Sequence, residues 1–370
     1  VWAEKTIIVK IKNESTNLSF LEKIIGDYDL QKLIDSRLLD MPTRKPQDNL
    51  QSYINYTQSL SKIYKLTYNS NYPTEKLIKY LNSLPIIDYA ESLPSRVLCF
   101  FPNDTLFNQQ YYLNKIHATE AWDSLDTQDT VIIGIVDTGV DYRHDDLMDN
   151  IYTNPGEIGL DSLGIDKREN GIDDDGNGFI DDWHGWDFVS DSLGQDNDPI
   201  QGNGHGTHVA GIAGAVINNT TGIAGTAKNV KLLAVKVGSD NPLSNSISDG
   251  YNGILYAAKM GADVINCSWG SSSYSQAEKE VIDFANSLGS TVIAAAGNNF
   301  YEGPFYPAAY SNVVSVAATD SNDFKAGFSN YHYTVDVSAP GLEIFSTLPW
   351  NTYGIMSGTS MASPMAAAVA

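Results

Sequence analysis

Val131-Ile132-Ile133-Gly134-Ile135-Val136 is a continuous apolar run that breaks at Asp137-Thr138-Gly139. Its length and β-branched content read as a strand buried on both faces, with Asp137 at its carboxyl end. Runs of the same kind recur at 230–237, 263–267, 291–296 and 313–318, and helical patterns fill 205–217, 250–260 and 276–288. Continuous apolar strands alternating with helices predict an α/β fold, a mainly parallel sheet covered by helices on both faces. Open sheets of this kind place their sites at the carboxyl ends of strands. Asp137 ends one strand, Ser268 follows another, and Asn298 follows a third across the turn at Gly297.

Two further stretches add chemistry to that edge. His205-Gly206-Thr207-His208-Val209-Ala210-Gly211 opens a helix with an imidazole. Gly358-Thr359-Ser360-Met361-Ala362-Ser363-Pro364 places a hydroxyl just before another helix. A serine hydroxyl is a poor nucleophile at neutral pH. It needs a base to take its proton, and the base needs a carboxylate to fix its tautomer. Singly each stretch is weak: an Asp before Thr-Gly is a turn former, and a Ser at a helix start is a cap. His205 and His208 make a His-x-x-His pair, but no His-Glu-x-x-His pattern accompanies it, so zinc is a poor reading and His208 is taken as structural. The esterase motif Gly-x-Ser-x-Gly is absent, because Ala362 holds its last position.

Together, in the order Asp, His, Ser, the three stretches resemble the motifs of the subtilisin-like serine proteases, the subtilases. Phe328-Ser329-Asn330 and Ala339-Pro340-Gly341 look like the same family, so the resemblance covers most of 101–370. It implies that Asp137, His205 and Ser360 form a catalytic triad and that Asn298 is the oxyanion-hole asparagine. It also implies that Ser268-Trp269-Gly270 pairs with extended substrate, facing a pocket wall of Ala295, Ala296 and Gly297. Phe305 is expected to limit the depth of that pocket. The expected substrates are proteins or peptides, with an apolar or broad preference. A non-catalytic calcium-bound module on the same scaffold, or a peptide ligase keeping the triad, are the rival readings.

The net charge of −22 is unevenly spread. Between Asp145 and Asp198 there are sixteen Asp and Glu against Lys167 and Arg168 alone. Acid concentrated in a loop region points to bound cations and argues against a nucleic-acid partner. Asp173, Asp175 and Asn177 sit at positions one, three and five of an EF-hand-like loop, with Gly178 at six and Phe179 able to offer its carbonyl. The pattern departs at position twelve, where His184 stands, and Asp182 is the candidate for the missing carboxylate. A second calcium site follows from resemblance to thermitase-like subtilases: Asp104, Asp146 and Asn219 by side chain, Thr221 and Ile223 by carbonyl. One or two structural calcium ions are therefore expected, and no organic cofactor.

Residues 1–100 read differently, as a small α+β module. Strand-like stretches at 6–12, 61–68 and 86–90 accompany a helix opened by Pro73-Thr74-Glu75, with Leu77, Ile78, Leu81 and Leu84 on one face. Its position resembles the inhibitory propeptide of subtilases. The expected organisation is a propeptide-like domain over 1–100 and a peptidase domain over 101–370, with processing between Ser92 and Asp104. Val1-Trp2-Ala3 has the small and apolar character of a signal-peptide remnant, and Ala370 falls only ten residues after Ser360. A secreted zymogen truncated at its C-terminus is the expectation. No apolar run is long enough to cross a membrane. Cys99 and Cys267 are too few for a disulfide framework, and Cys267 reads as a buried free thiol.

Overall fold

A carboxyl-terminal edge shared by neighbouring parallel strands is what brings the three stretches together. The computed structural model describes residues 5–39, 50–93, 101–124, 129–189, 194–239, 241, 244 and 246–370. Val1-Trp2-Ala3, Cys99 and residues 94–100 of the expected processing segment lie outside them. The chain divides into two compact units, Val1–Leu98 and Cys99–Ala370.

The first unit contains β1 (Lys5–Ile11), α1 (Glu22–Ile25), β2 (Tyr28–Lys32), α2 (Leu50–Leu60), β3 (Ile63–Tyr68), α3 (Thr74–Asn82) and β4 (Ile87–Ser92). The strands form an antiparallel sheet in the order β2-β3-β1-β4. Leu77 and Leu81 of α3 pack onto Ile7, Val9, Leu66 and Ile87. Asn82 fixes the helix to the sheet edge: its amide donates to the Ala90 carbonyl at 2.9 Å, and its carbonyl accepts from the Ala90 N–H at 2.7 Å. The sequence pattern missed β2 and α2, whose residues are half polar and carry no clean period.

The second unit opens with α4 (Tyr111–Lys115) and α5 (Ala118–Ser124) and continues with β5 (Val131–Asp137), β6 (Gly185–Asp187), α6 (His205–Gly214) and β7 (Val230–Lys236). Next come α7 (Gly250–Lys259), β8 (Val264–Cys267), α8 (Gln276–Ser287), β9 (Thr291–Ala295), β10 (Val313–Thr319) and β11 (Val337–Pro340). A hairpin of β12 (Ile344–Leu348) and β13 (Thr352–Met356) leads into α9 (Thr359–Val369). Among the described residues, seven strands form one parallel sheet in the order β11-β10-β9-β8-β5-β7-β6. One face buries Ile135, Leu232 and Ile293 against Val209 and Ile212 of α6 and Met361 and Met365 of α9. The other buries Val136, Val235 and Ile265 against Ile254 of α7 and Ile282 of α8. This is the two-sided parallel sheet that the apolar runs predict. Cys267 is a buried free thiol.

Helix α6 is shorter than its sequence pattern, ending at Gly214 rather than 217. Ala215 leaves the helical region with ψ 148°, and Asn218 and Thr220 adopt positive φ in the loop that follows. The short edge strand β6 lacks an alternating pattern and was not foreseen. It is held by a buried ion pair: Lys236 Nζ donates to Asp187 Oδ2 at 2.7 Å, with the two side chains 2% and 7% exposed. Burial lifts the Asp187 carboxyl to about 6 despite the hydrogen bond and charge of Lys236.

Breaking one half of such a pair strands a buried charge. Lys236→Met is expected to lower unfolding free energy by about 3–5 kcal/mol in urea, and Lys236→Met with Asp187→Leu to recover most of that loss. A single variant as stable as the parent would count against this account of β6.

Candidate active site

Asp137 ends β5, and His205 opens α6 beside it. Asp137 is almost wholly buried (side chain 1% exposed), whereas 29% of the His205 side chain reaches solvent. His205 Nδ1 lies 2.7 Å from Asp137 Oδ1, which also accepts the Thr138 N–H at 2.8 Å. With Nδ1 carrying the proton, Nε2 is left as the basic nitrogen. Burial pulls the imidazole pKa down, but the charge and hydrogen bond of Asp137 together outweigh it and hold it above the ordinary histidine value. His208, one turn further along, is fully buried. Its pKa is pushed down to about 4 by burial, and its Nε2 is 3.2 Å from the Gly354 carbonyl.

The start of α6 is fixed by Asn203, which lies outside the quoted motifs, together with Thr138 and Gly206 inside them. Thr138 Oγ1 donates to Asn203 Oδ1 at 3.0 Å and accepts from the Gly206 N–H at 3.1 Å, while the His205 N–H donates to the same Asn203 oxygen at 2.9 Å. Gly206 is required by space: a Cβ there would run into the Gly139 carbonyl oxygen and crowd Asp137.

Ser360 stands in the first turn of α9, where backbone N–H groups lack intrahelical acceptors. Its hydroxyl donates to the Ser268 carbonyl at 2.8 Å, so in this state it is held by β8's continuation and not by His205. The reverse bond also exists, Ser268 Oγ donating to the Ser360 carbonyl at 2.8 Å. Behind them, Asn266 Nδ2 donates to Ser268 Oγ at 2.9 Å, and Ser363 Oγ donates to Asn266 Oδ1 at 2.6 Å. This polar chain bolts α9 to β8. Asn266, an amide inside the apolar run Val264-Ile265-Asn266-Cys267, was its one legible signal.

Asn298 follows β9. Its Oδ1 accepts from the Thr359 N–H at 2.8 Å and from Thr359 Oγ1 at 2.9 Å, and the Gly297 N–H donates to Thr359 Oγ1 at 3.0 Å. With its oxygen occupied in this way, the amide nitrogen is oriented by the helix start that carries Ser360. Asn298, His205, Ser360 and Asp137 border one cleft of about 500 Å³. Ser268, Trp269 and Gly270 line one side, Ala295 and Gly297 the other. Ala296 instead borders a separate small pocket with Ser315 and Asn330. The Phe305 ring lies against both Gly270 and Gly297, between the two walls.

The expected cation ligands fall in two places. Asp104 accepts from the Asn218 N–H at 3.0 and 2.9 Å, and Asp146 accepts from Asn219 Nδ2 and the Ile223 N–H, both at 2.7 Å. Asn219 Oδ1 accepts the Thr221 N–H at 2.7 Å, so all five residues meet around one loop. Burial raises the Asp146 carboxyl to about 6 despite the hydrogen bonds it accepts from Ile223, Asn219 and Tyr353. In the other loop, Asp175 and Asp182 converge with Glu157, a residue that sequence spacing did not suggest. Asp173 turns into its own loop, accepting from the backbone N–H groups of Gly176, Asn177 and Gly178. Asn177 donates to Asp175 and Asp182, and the Phe179 ring packs on Trp186, Phe188 and Tyr256.

The parallel sheet, with its acid, imidazole and hydroxyl along the carboxyl edge, defines a subtilisin-like serine endopeptidase domain. The chain belongs to the subtilase family, whose model matches residues 128–370. It is 44% identical to thermitase of Thermoactinomyces vulgaris over 272 residues, 73% of this chain and 84% of that protein. It is 40% identical to the thermophilic serine proteinase of Bacillus sp. (strain AK1) over 297 residues, 80% of this chain and 65% of that protein. It therefore spans just under two thirds of the Bacillus protein's length. A solved structure of a protease from Pseudoalteromonas arctica PAMC 21717 superposes with a TM-score of 0.59 at 29% identity, covering 72% of this chain and 85% of that one.

Two substitutions read out this geometry. If Asn298 serves as the oxyanion-hole amide that the resemblance implies, Asn298→Ala is expected to lower kcat by about 10²–10³ with little change in KM, because such an amide meets charge only in the transition state. Asp137→Asn is expected to lower kcat by about 10⁴. It should also move the rising limb of the kcat/KM–pH profile to lower pH, since burial alone then acts on His205. An unmoved limb would show that Asp137 does not set the basicity of His205.

Proposed function

We propose that the chain is the zymogen of a secreted, calcium-stabilised endopeptidase. The observation that carries the reading is the 2.7 Å bond between Asp137 and His205 at the mouth of the cleft that Ser360 also borders. In the proposed reaction, Ser360 turns about its Cα–Cβ bond, exchanging the Ser268 carbonyl for His205 Nε2. His205 takes the hydroxyl proton as Oγ attacks the scissile carbonyl. The Asn298 amide and the Ser360 N–H hold the oxyanion. His205 then gives its proton to the departing amine, and water hydrolyses the acyl-enzyme by the same steps. Asp137 holds the imidazole in one tautomer throughout. Substrate lies extended along Ser268-Trp269-Gly270 as an added strand. Phe305 shortens the pocket for the side chain preceding the cut, which favours apolar side chains of moderate size.

The N-terminal unit is the proposed intramolecular inhibitor, released by cleavage between Ser92 and Asp104. Calcium at the Asp104–Asp146 loop and at the acidic loop near Asp175 is the proposed stabiliser of the peptidase unit, through Asn219, Thr221 and Ile223 in the first.

Intact mass of the full chain, made as wild type and as Ser360→Ala with calcium, tests the reading. Wild type is expected to lose the N-terminal unit, and Ser360→Ala to stay whole with peptidase activity lower by about 10⁶. Folded wild-type protein that stays uncut and cleaves no peptide would sink the proposal.

A further inference from the structure

The acidic loop holds a feature that the EF-hand-like spacing does not explain. Glu157 lies in a short turn of helix, Pro155–Glu157, sixteen residues before Asp173, yet it is fully buried (0% exposed). Its Oε1 accepts the backbone N–H groups of Asp174 and Asp175 at 2.7 and 3.2 Å. Its Oε2 is buried and receives no hydrogen bond from the described residues. An orphaned carboxylate oxygen in the interior costs stability unless something positive or protic meets it.

The surroundings say what would meet it. Glu157, Asp175 and Asp182 each offer one oxygen, and these lie within 4.8 Å of one another. Calcium–oxygen bonds of 2.3–2.6 Å put ligands on opposite sides of an ion at most about 5 Å apart, so the spacing suits a single calcium ion. Among the described residues, no Lys or Arg pairs with any of the three; Lys167 reaches Asp174 and the Gly156 carbonyl instead. Gly156 makes the approach possible, because a Cβ there would overlap the Asp175 side chain. Asn154 and Asn177 both donate into the gap between Asp175 and Asp182. Asp173, the first position of the EF-hand-like pattern, is meanwhile consumed by its own turn.

We infer that the cation of this loop is bound by Glu157, Asp175 and Asp182, so that it clamps two separate segments, 154–157 and 173–182, rather than closing a single EF-hand-like loop on Asp173. The inference rests on the calcium reading above. Asp182 also accepts the Tyr256 hydroxyl at 2.7 Å, so the clamp is anchored to α7 in the core of the peptidase unit. A hard divalent cation is the ligand class, since all three assigned ligands are carboxylates.

The test counts calcium ions bound to the full chain by native mass spectrometry, using Ser360→Ala to prevent self-digestion. Adding Glu157→Gln or Asp182→Asn is expected to remove one ion, and Asp173→Asn to leave the count unchanged. A full count in Glu157→Gln, or a lost ion in Asp173→Asn alone, overturns the assignment. Should a variant fail to fold, hydrogen exchange on the Ser360→Ala protein with and without calcium still decides. Calcium should protect 154–157 and 173–182 together, and protection confined to 173–182 overturns the clamp. A chain that binds no calcium at all would instead sink the broader calcium reading.

Discussion

A carboxylate taken out of water must be met by donors, and Asp137 is taken almost completely out of water at the end of a central strand. The Thr138 N–H and the imidazole of His205 meet it on the same oxygen. Much of the neighbourhood is arranged to keep them there. Asn203 Oδ1 gathers the Thr138 hydroxyl and the His205 N–H at the start of α6. The absence of a side chain at Gly206 lets that helix come down onto Gly139. The parallel register of β5 with β8, and of β8 with β9, brings Ser268 and Asn298 to the same edge.

Opposite the imidazole, the helix that carries Ser360 is tied down by polar groups rather than by burial alone. Asn266, Ser268 and Ser363 form one chain from β8 into α9, and Asn298 and Gly297 form a second from β9 to Thr359. Each contact is an ordinary hydrogen bond. Their effect is collective, because the hydroxyl and the amide nitrogen of Asn298 are positioned by the same helix start. Polar chains of this sort hold only while every member is satisfied, which suits a site that must keep its geometry under load.

The sheet was legible because strands buried on both faces must be apolar throughout, and Val131 to Val136 states that plainly. Asp137, His205 and Ser360 were legible through three short motifs at strand and helix ends, and the structure brings all three to one cleft. Supporting residues were harder to read. Asn203 is an unremarkable loop residue in sequence, and Thr138 reads only as the turn beside Asp137; their shared value arises only when a helix start 65 residues away folds back onto the strand. Asn266 did leave a trace, as an amide stranded in an apolar run. Glu157 left none, because its partners come from another segment and a regular spacing nearby pointed elsewhere. Helix α6 ended early for a local reason: its continuation turns through Asn218 and Thr220 at positive φ, which no hydrophobic period records.

Trp269 carries a consequence for how such a molecule can change over evolutionary time. Its indole N–H donates to the Val136 carbonyl at 2.7 Å, the peptide unit immediately before Asp137. The wall of the cleft is thereby spliced to the backbone that carries the acid. If Trp269 meets substrate as proposed, a lineage that recuts its preference by replacing Trp269 also loosens the strand end that carries Asp137, whereas the Phe305 ring donates no hydrogen bond to that strand. On that proposed reading, drift in preference accumulates at Phe305, and the tryptophan is a ratchet that keeps selectivity and turnover from varying independently.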